Sequence, residues 1–328
     1  MNTDDELLLK LFPPLLARFD NAERLTKDPP LLAHYTSIKV LENILRSNEI
    51  WFSNPLFMND MQELRFGLNA GRSLFSNAEL LKKAGGSDSR AATLQHSFAH
   101  YFQEFDNQDA FDTYVFCLSE HEKANTDGVL SMWRGYGQHG NGVALVFDTG
   151  SLTWVPTSPL IVSKVSYASD EDRISELNAL LHHWAEIVSS VSLPYNKLYV
   201  AAYVAFAAIK TFALTAKHKG FAEEAEWRVI YYPERDRVGL LKRFLGYHVG
   251  ERGVEPKLKY PVGHIAGVSG PDLVLERIVE RIILGPTVSS PLAKRSVERM
   301  LESIGKSEFA KKLHTSGIPL RPSSGGSF

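Results

Sequence analysis

The stretch from Leu31 to Ser53 constrains the fold most, because it predicts a strand, a helix and a second strand in quick succession. The first strand ends in a polar tip at 34–37, and Ser37 is a typical helix N-cap whose hydroxyl can accept from the first free amides. Apolar residues then recur at helical spacing, and Glu49 to Ser53 predicts the next strand. The chain therefore begins as a mixed fold of helices and strands.

The polar tip, His34-Tyr35-Thr36-Ser37, admits two interpretations. A helix N-terminus carries partial positive charge and open amides, which suit a phosphate or pyrophosphate. In the structural interpretation, His34 only ends the strand and Thr36-Ser37 only caps the helix. The pattern by itself favours the structural interpretation, because caps are much commoner than ligand sites.

Composition narrows the class of protein. The chain has 328 residues, of which 44% are hydrophobic and 23% charged, as in ordinary soluble globular proteins. A formal net charge of -2 gives no bulk attraction to nucleic acid or to an anionic membrane. The early acids and the lack of a basic segment argue against a signal peptide, and no apolar run reaches the roughly 20 residues of a membrane span. We therefore expect a cytoplasmic protein without a membrane partner.

Metal and disulfide chemistry find little support in the sequence. Cys117 is the only cysteine, which excludes an internal disulfide and a cysteine-based zinc cluster. The adjacent His182 and His183 lie on a predicted helix and point to different faces, so a shared metal site is not expected. We expect no metal cofactor.

The remaining elements are predicted from periodicity and composition. Strands are predicted at Thr113–Ser119, Gly142–Asp148, Leu160–Tyr167, Trp227–Tyr232, Pro256–Val262 and Ile278–Leu284, and helices at Met61–Phe75, Ala91–Phe105, Asp170–Ser190, Tyr195–Lys217 and Leu292–Ile304. Residues 5–19 predict a short helix and turn broken by Pro13-Pro14, and 82–89 predict a loop. We expect a helical lead-in at 1–30, a single α+β domain at 31–320 with a helical insertion at 170–217, and a flexible tail at 321–328.

Two carboxylates precede the predicted strand at Trp227. Glu224 and Glu226 lie two residues apart, so both would project to one face if the strand had already begun. Paired carboxylates in such a place can stabilise an oxocarbenium-like transition state. Two structural alternatives remain: a solvated run of acids, or an ion pair between Glu226 and Arg228.

A glycine-punctuated segment follows a predicted helical turn at 130–137. Gly135, Gly137, Gly140 and Gly142 do not form a dinucleotide fingerprint, because a strand follows them instead of a helix. They indicate a loop lying close to a ligand or to another chain segment. Arg134 is a candidate pyrophosphate contact, because a guanidinium fork matches phosphate oxygens; it could equally form an ion pair with one of the glutamates.

Five motifs occur together in a fixed order. They are His34-Tyr35-Thr36-Ser37, Trp51-Phe52-Ser53-Asn54-Pro55 with Asn59-Asp60, Ser131-Met132-Trp133-Arg134-Gly135-Tyr136-Gly137, Phe221 with Glu224-Ala225-Glu226-Trp227-Arg228, and Ile283-Leu284-Gly285-Pro286. In these motifs the chain resembles, over roughly residues 31 to 320, a large bacterial family known as domain of unknown function 2971. The family name implies no activity.

A second, more distant resemblance is to ADP-ribosyltransferase-like folds. In those folds an early strand bears a His or Arg, a later strand bears Ser or Tyr, and a Glu-x-Glu or x-x-Glu starts a still later strand. The matching positions here are His34, Ser119 and Glu224-Ala225-Glu226. The chain departs from the pattern in having Cys117-Leu118-Ser119 in place of a Ser-Thr-Ser triplet, and in its long helices at 170–217.

This resemblance implies an α+β fold with a split, mostly antiparallel sheet core. It also implies NAD-dependent ADP-ribosyl transfer to a macromolecular acceptor, a protein or a nucleic acid, as in a bacterial toxin or phage-defence effector. The implied roles are ribose binding for His34, nicotinamide stacking for Tyr35, loop positioning for Ser119, pyrophosphate contact for Arg134, transition-state stabilisation for Glu226 and acceptor orientation for Glu224. The strands of His34, Ser119 and Glu226 should then be neighbours, and these side chains should face one pocket.

The main alternative is a non-enzymatic binding or sensor module. In that case the loop from Trp133 to Gly142 would recognise a protein or nucleic acid partner. A nuclease is less well supported, because no carboxylate cluster has clear metal-ligand spacing.

Overall fold

Helices and strands alternate along the chain in the computed structural model, which describes residues 3–58, 61–107, 112–250 and 253–320. The α-helices are α1 Thr3–Leu16, α2 Ala22–Lys27, α3 Ile38–Ser47, α4 Met61–Phe75, α5 Ala78–Gly85, α6 Asp88–Asn107, α7 Leu130–Gly135, α8 Asp170–Ser190, α9 Leu198–Thr215, α10 Leu275–Ile278 and α11 Pro291–Ser303. The predicted tail at 321–328 and the Asn59-Asp60 pair lie outside the described residues.

The strands are more numerous than predicted. They are β1 Leu31–Ser37, β2 Glu49–Ser53, β3 Tyr114–His121, β4 Gly142–Asp148, β5 Leu160–Lys164, β6 Ser166–Ala168, β7 Ala216–His218, β8 Glu226–Tyr231, β9 Leu245–Gly250, β10 Gly253–Pro261, β11 Val279–Leu284 and β12 Leu313–Thr315. The opening strand–helix–strand unit is confirmed as β1, α3 and β2. Ser37 caps α3 as predicted, because its Oγ accepts a hydrogen bond from the Val40 amide at 3.1 Å.

The chain divides into two compact units, each built from three separate segments. Unit 1 comprises Met1–Asn21, Ser53–Tyr114 and Val162–Ala222, and unit 2 comprises Ala22–Phe52, Val115–Ile161 and Glu223–Phe328. The range 31–320, for which the sequence predicts one domain, therefore draws on both units. The helical segment at 170–217 falls in unit 1.

Unit 1 is mainly helical, and α9 lies at its centre. Gly67 of α4 allows close packing there, since a Cβ at this position would come within 2.6 Å of the Ala213 Cβ. The segment Tyr195–Thr215 is the one stretch of the described residues long and apolar enough to cross a membrane. However, 89% of its 18-residue window is buried inside the protein, as in the core helix of a soluble protein.

Three local predictions need correction. Helix α1 continues through Pro13 and Pro14 instead of breaking there, and Leu11 and Leu15 on either side of the prolines are fully buried. Residues 82–89 are a loop only in part, because α5 extends to Gly85 and ends where Gly86 adopts a φ of 81°. The single strand predicted at 160–167 is two strands, β5 and β6, of which β6 pairs in parallel with β7.

Unit 2 contains the main sheet, whose strand order is β12-β11-β4-β1-β3-β2-β10-β9, with β8 pairing beside this path with β3. Neighbours run antiparallel in β1–β3, β1–β4, β9–β10 and β4–β11, whereas β11 and β12 are parallel. The prediction of an α+β protein with a mostly antiparallel sheet is thus confirmed.

Strand β1 is paired unequally on its two sides. It pairs with β4 along its whole length, from Leu31 opposite Asp148 to Ser37 opposite Gly142. It pairs with β3 only through its first three residues, of which Ala33 lies opposite Ser119. Past Ala33 the two strands are no longer partnered, so the sheet opens at His34.

Candidate functional site

The strands that carry the three predicted motif residues are neighbours in unit 2. His34 lies on β1, Ser119 on β3 and Glu226 at the start of β8. Strand β3 pairs with β1 on one side and also pairs with β8. The Glu120 amide donates to the Ala225 carbonyl at 2.9 Å, which ties the start of β8 to the end of β3. The predicted adjacency of these strands is confirmed.

His34 occupies the point where the sheet opens. Its Nδ1 lies 3.0 Å from the Cys117 carbonyl oxygen, and its ring centroid is 4.6 Å from that of Phe116. Because a carbonyl can only accept, we assign the proton of the neutral ring to Nδ1, which leaves Nε2 as an acceptor. Burial lowers the pKa of His34, and the hydrogen bond to Cys117 opposes that shift. The ring is therefore neutral at physiological pH.

The sheet register separates the side-chain directions of His34 and Ser119. Ala33 lies opposite Ser119, so these two residues share a face of the sheet, and Tyr35 shares it as well. His34 lies between Ala33 and Tyr35 and does not point to that face. The ring instead reaches the backbone of Cys117. The strand positions of His34 and Ser119 therefore do not direct both side chains into one pocket.

Tyr35 is packed into the core of unit 2. Its hydroxyl accepts a hydrogen bond from the Val129 amide at 2.9 Å, and burial raises its pKa to about 12. Its ring meets the Trp133 ring edge-on at a centroid distance of 4.9 Å. Trp133 is fully buried and donates its indole N–H to the Asp127 carbonyl at 2.8 Å. We therefore assign Tyr35 a packing role and no longer a stacking role toward nicotinamide.

The glycine-rich segment after α7 lies against other parts of the chain. A Cβ at Gly137 would come within 2.5 Å of the Trp133 ring, and a Cβ at Gly142 would overlap the Thr36 carbonyl oxygen. The Gly285 amide donates to the Gly142 carbonyl at 2.9 Å, which connects this segment to the Gly285-Pro286 motif. Close approach of chain segments, one of the two predicted alternatives, accounts for Gly137 and Gly142.

Gly142→Ala is expected to destabilise unit 2 by about 1–3 kcal/mol, because the added methyl group meets a backbone oxygen that cannot move freely. Gly135→Ala is the matched control. A Cβ at Gly135 has no neighbour within 4 Å, so this change should be neutral or slightly stabilising. Urea denaturation of both variants measures the difference. Equal stabilities would contradict the close approach of Gly142 to Thr36.

Glu226 forms a buried ion pair with Arg228. The Arg228 guanidinium donates through Nε to one carboxylate oxygen at 2.8 Å and through its terminal nitrogen to the other at 3.0 Å. The Arg228 and Glu226 side chains are only 5% and 8% exposed. The structural alternative predicted for Glu226 is thus present.

Glu224 is held differently from Glu226. It is half-buried, and one of its oxygens accepts a hydrogen bond from the Tyr136 hydroxyl at 2.7 Å. Ala225 between the two glutamates has a φ of 41°, an uncommon left-handed conformation for a residue with a side chain. Strand β8 begins only at Glu226. The condition under which both carboxylates would project to one strand face is therefore not met.

Arg134 lies at the exposed end of α7. It forms no ion pair or hydrogen bond within the described part of the chain, so the predicted alternative of a pair with one of the glutamates is not formed there. The tight packing of its neighbour Trp133 fixes the helix from which the guanidinium projects. This side chain remains available for an anionic group.

Two contacts of the site were not predicted from the sequence. The Trp227 indole donates to the Glu120 carboxylate at 3.1 Å, and the Tyr136 hydroxyl joins α7 to Glu224. Tyr136 and Trp227 both belong to the motifs on which the family resemblance rests, and that is the signal that could have identified them. Among the described residues, no group of three or more His, Cys, Asp or Glu side chains could hold a metal ion.

Residues 132–229 match a family model described as Protein of unknown function (DUF2971). This match supports, for that stretch, the family resemblance inferred from the motifs, and the stretch contains Arg134 and Glu226. The extension of the family resemblance over residues 31–320 stays a prediction. No curated protein and no solved structure matches the chain.

Proposed function

We propose that the protein transfers ADP-ribose from NAD to a macromolecular acceptor, a protein or a nucleic acid. The observation that carries this proposal is the opening of the sheet between β1 and β3 at His34. Beyond Ala33 the pairing of β1 with β3 ends, next to strands that bear the other motif residues. From the resemblance to ADP-ribosyltransferase-like folds, we expect the nucleotide to bind where the sheet splits.

His34 is suited to bind a ribose of NAD. Its Nδ1 is committed to the Cys117 carbonyl, so the neutral ring offers Nε2 as an acceptor for a sugar hydroxyl. The lowered pKa keeps the ring in this form at neutral pH. On acidification through that pKa, Nε2 gains a proton and can no longer accept. Because the pKa of His34 lies below the ordinary histidine value, NAD affinity should hold at neutral pH and fall only on acidification beyond that ordinary value.

Each of the charged residues has a separate role in this proposal. Arg228 positions the Glu226 carboxylate, which stabilises the positive charge that develops on the ribose as nicotinamide leaves. Glu224, held by Tyr136, orients the acceptor, and Arg134 binds the pyrophosphate through its guanidinium fork. The bond from the ribose to nicotinamide breaks, and a new bond forms from the same carbon to a nucleophilic atom of the acceptor.

A cytoplasmic bacterial toxin or phage-defence effector is the setting we propose for this reaction. Transfer to a protein or nucleic acid of the cell would inactivate that target. No metal is required, because the leaving group departs with its own positive charge neutralised and the ribosyl cation is stabilised by a carboxylate.

A second candidate function is non-enzymatic recognition of a protein or nucleic acid. The buried pair of Glu226 and Arg228 favours it, because such pairing suits a structural role. In that case Arg134 and Tyr136 on the exposed end of α7 contact the partner. This candidate predicts partner binding without turnover of NAD.

The proposal is tested by measuring NAD binding by calorimetry and nicotinamide release by chromatography. His34→Ala should weaken NAD binding about tenfold, the value of one hydrogen bond of about 1.4 kcal/mol. His314→Ala is the matched control, because His314 is exposed on the edge strand β12, three strands from β1. It should bind NAD like the wild type. If the wild-type protein does not bind NAD, the proposal is overturned, and non-enzymatic recognition of a protein or nucleic acid is the candidate function that remains.

A further inference from the structure

One edge of the main sheet is open along a full strand. Strand β9 pairs with β10 in an uninterrupted register, from Leu245 opposite Leu258 to Gly250 opposite Gly253. It ends the strand order, and no other described strand pairs with it. The outer side of β9 therefore presents a row of backbone N–H and C=O groups that can pair with another chain.

The two ends of the sheet differ in how they are protected. At the other end β12 is only three residues long, which leaves little edge to extend. Strand β9 has six residues, without a lysine, a proline or a bulge. Natural proteins usually shorten, charge or kink an edge strand to prevent pairing. The β9 edge has none of these devices.

Apolar side chains on the β9–β10 hairpin are exposed to solvent. Val249 lies opposite Val254, so the two share one face of the sheet, and Tyr247 shares it two residues away. Tyr247, Val249 and Val254 are 66%, 75% and 58% exposed. Together they form a continuous apolar strip that runs to the open edge.

The sequence of the strand is self-complementary. Gly246-Tyr247-His248-Val249-Gly250 is symmetric in residue size about His248, with small residues outside and large apolar residues inside. We propose that β9 pairs antiparallel with β9 of a second copy of this chain, across a two-fold axis at His248. In that register Tyr247 of each copy lies opposite Val249 of the other, and each glycine lies opposite a glycine. Such an isologous contact closes as a dimer and does not propagate.

The size of the strip sets the expected strength of this dimer. Each copy contributes three exposed apolar side chains and one six-residue edge. Stable interfaces generally bury more than about 1,000 Å² in total, and a contact built on one edge strand is a small one. We therefore expect a dissociation constant in the micromolar range, with a dimer that forms reversibly with concentration. This inference is independent of the proposed NAD chemistry.

Sedimentation equilibrium over concentrations from about 1 to about 200 µM tests the dimer. The wild-type mass should rise from 36.7 kDa toward twice that value. Val249→Lys should remain monomeric, because it places two charges beside the two-fold axis. Val238→Lys is the matched control, an 81% exposed valine outside the strands, and should dimerise like the wild type. A monomeric wild type, or a dimer unaffected by Val249→Lys, would overturn the proposal.

A cysteine cross-link tests the register. Directly opposed residues of an antiparallel pair have Cα atoms about 4.5–5.5 Å apart, which suits a disulfide. His248→Cys should therefore form a covalent dimer under mild oxidation. Gly246→Cys, whose two copies lie four residues out of register, should not, and the wild type with Cys117 alone gives the baseline. If Gly246→Cys cross-links in preference to His248→Cys, the two-fold axis does not lie at His248. If a different protein occupies the edge, neither variant forms a cross-link.

Discussion

Replacing Arg228 with methionine is expected to lower the free energy of unfolding by about 3–5 kcal/mol, because the buried Glu226 carboxylate then loses its guanidinium partner. The measurement is urea denaturation followed by tryptophan fluorescence. Arg134→Met is the matched control, since Arg134 is an exposed arginine of the same unit. It should change stability little.

A double variant separates the charge effect from the loss of packing. Glu226→Gln combined with Arg228→Met removes both charges and should recover a large part of the stability lost in Arg228→Met alone. If Arg228→Met costs no more than Arg134→Met, the bidentate pair does not hold β8 in solution as it does in the structure.

Glu226→Gln is expected to slow nicotinamide release about 100-fold, which is typical for loss of one transition-state electrostatic contact. Its carboxylate is needed only while positive charge develops on the ribose, so NAD binding should remain nearly intact. Glutamine keeps the length and a hydrogen-bonding oxygen but not the charge. Rates should be measured well below the melting temperature of the variant, because Arg228 then loses its ion pair with the Glu226 carboxylate.

Glu224→Gln provides the comparison for this experiment. If Glu224 orients the acceptor, its substitution should reduce transfer to the acceptor more than it reduces hydrolysis of NAD by water. A Glu226→Gln variant with unchanged turnover and a clear loss of stability would assign Glu226 a structural role. No turnover in the wild-type protein would favour the recognition module.

The elements with strong local signals could be predicted from the sequence. Helix α8 was predicted with its observed ends, because Ser169 supplies an N-cap whose Oγ accepts from the Asp172 amide. Strand β4 was also predicted with its observed ends. Strand β9 was not predicted, since its residues have no buried alternation and its existence depends on pairing with β10.

The site could be predicted only in its strand order. The order of the motifs correctly indicated that the strands of His34, Ser119 and Glu226 are neighbours. Side-chain partners depend on tertiary packing, which motif order does not contain, so the burial of Tyr35 against Trp133 was missed. The left-handed Ala225 was missed because alanine rarely adopts that conformation.

Because the segments of the two units alternate along the chain, the stretch that the family model matches does not coincide with either unit. Residues 132–229, the family region, begin and end within unit 2 but contain Val162–Ala222 of unit 1. A fragment cut at those limits lacks β1 and β3, which are neighbours of β4 and β8 in the sheet. The fragment would therefore expose β4 and β8 as new edge strands. Expression of the family region alone should therefore yield aggregated protein, and any deletion series must keep the chain continuous from Ala22 onward to preserve unit 2.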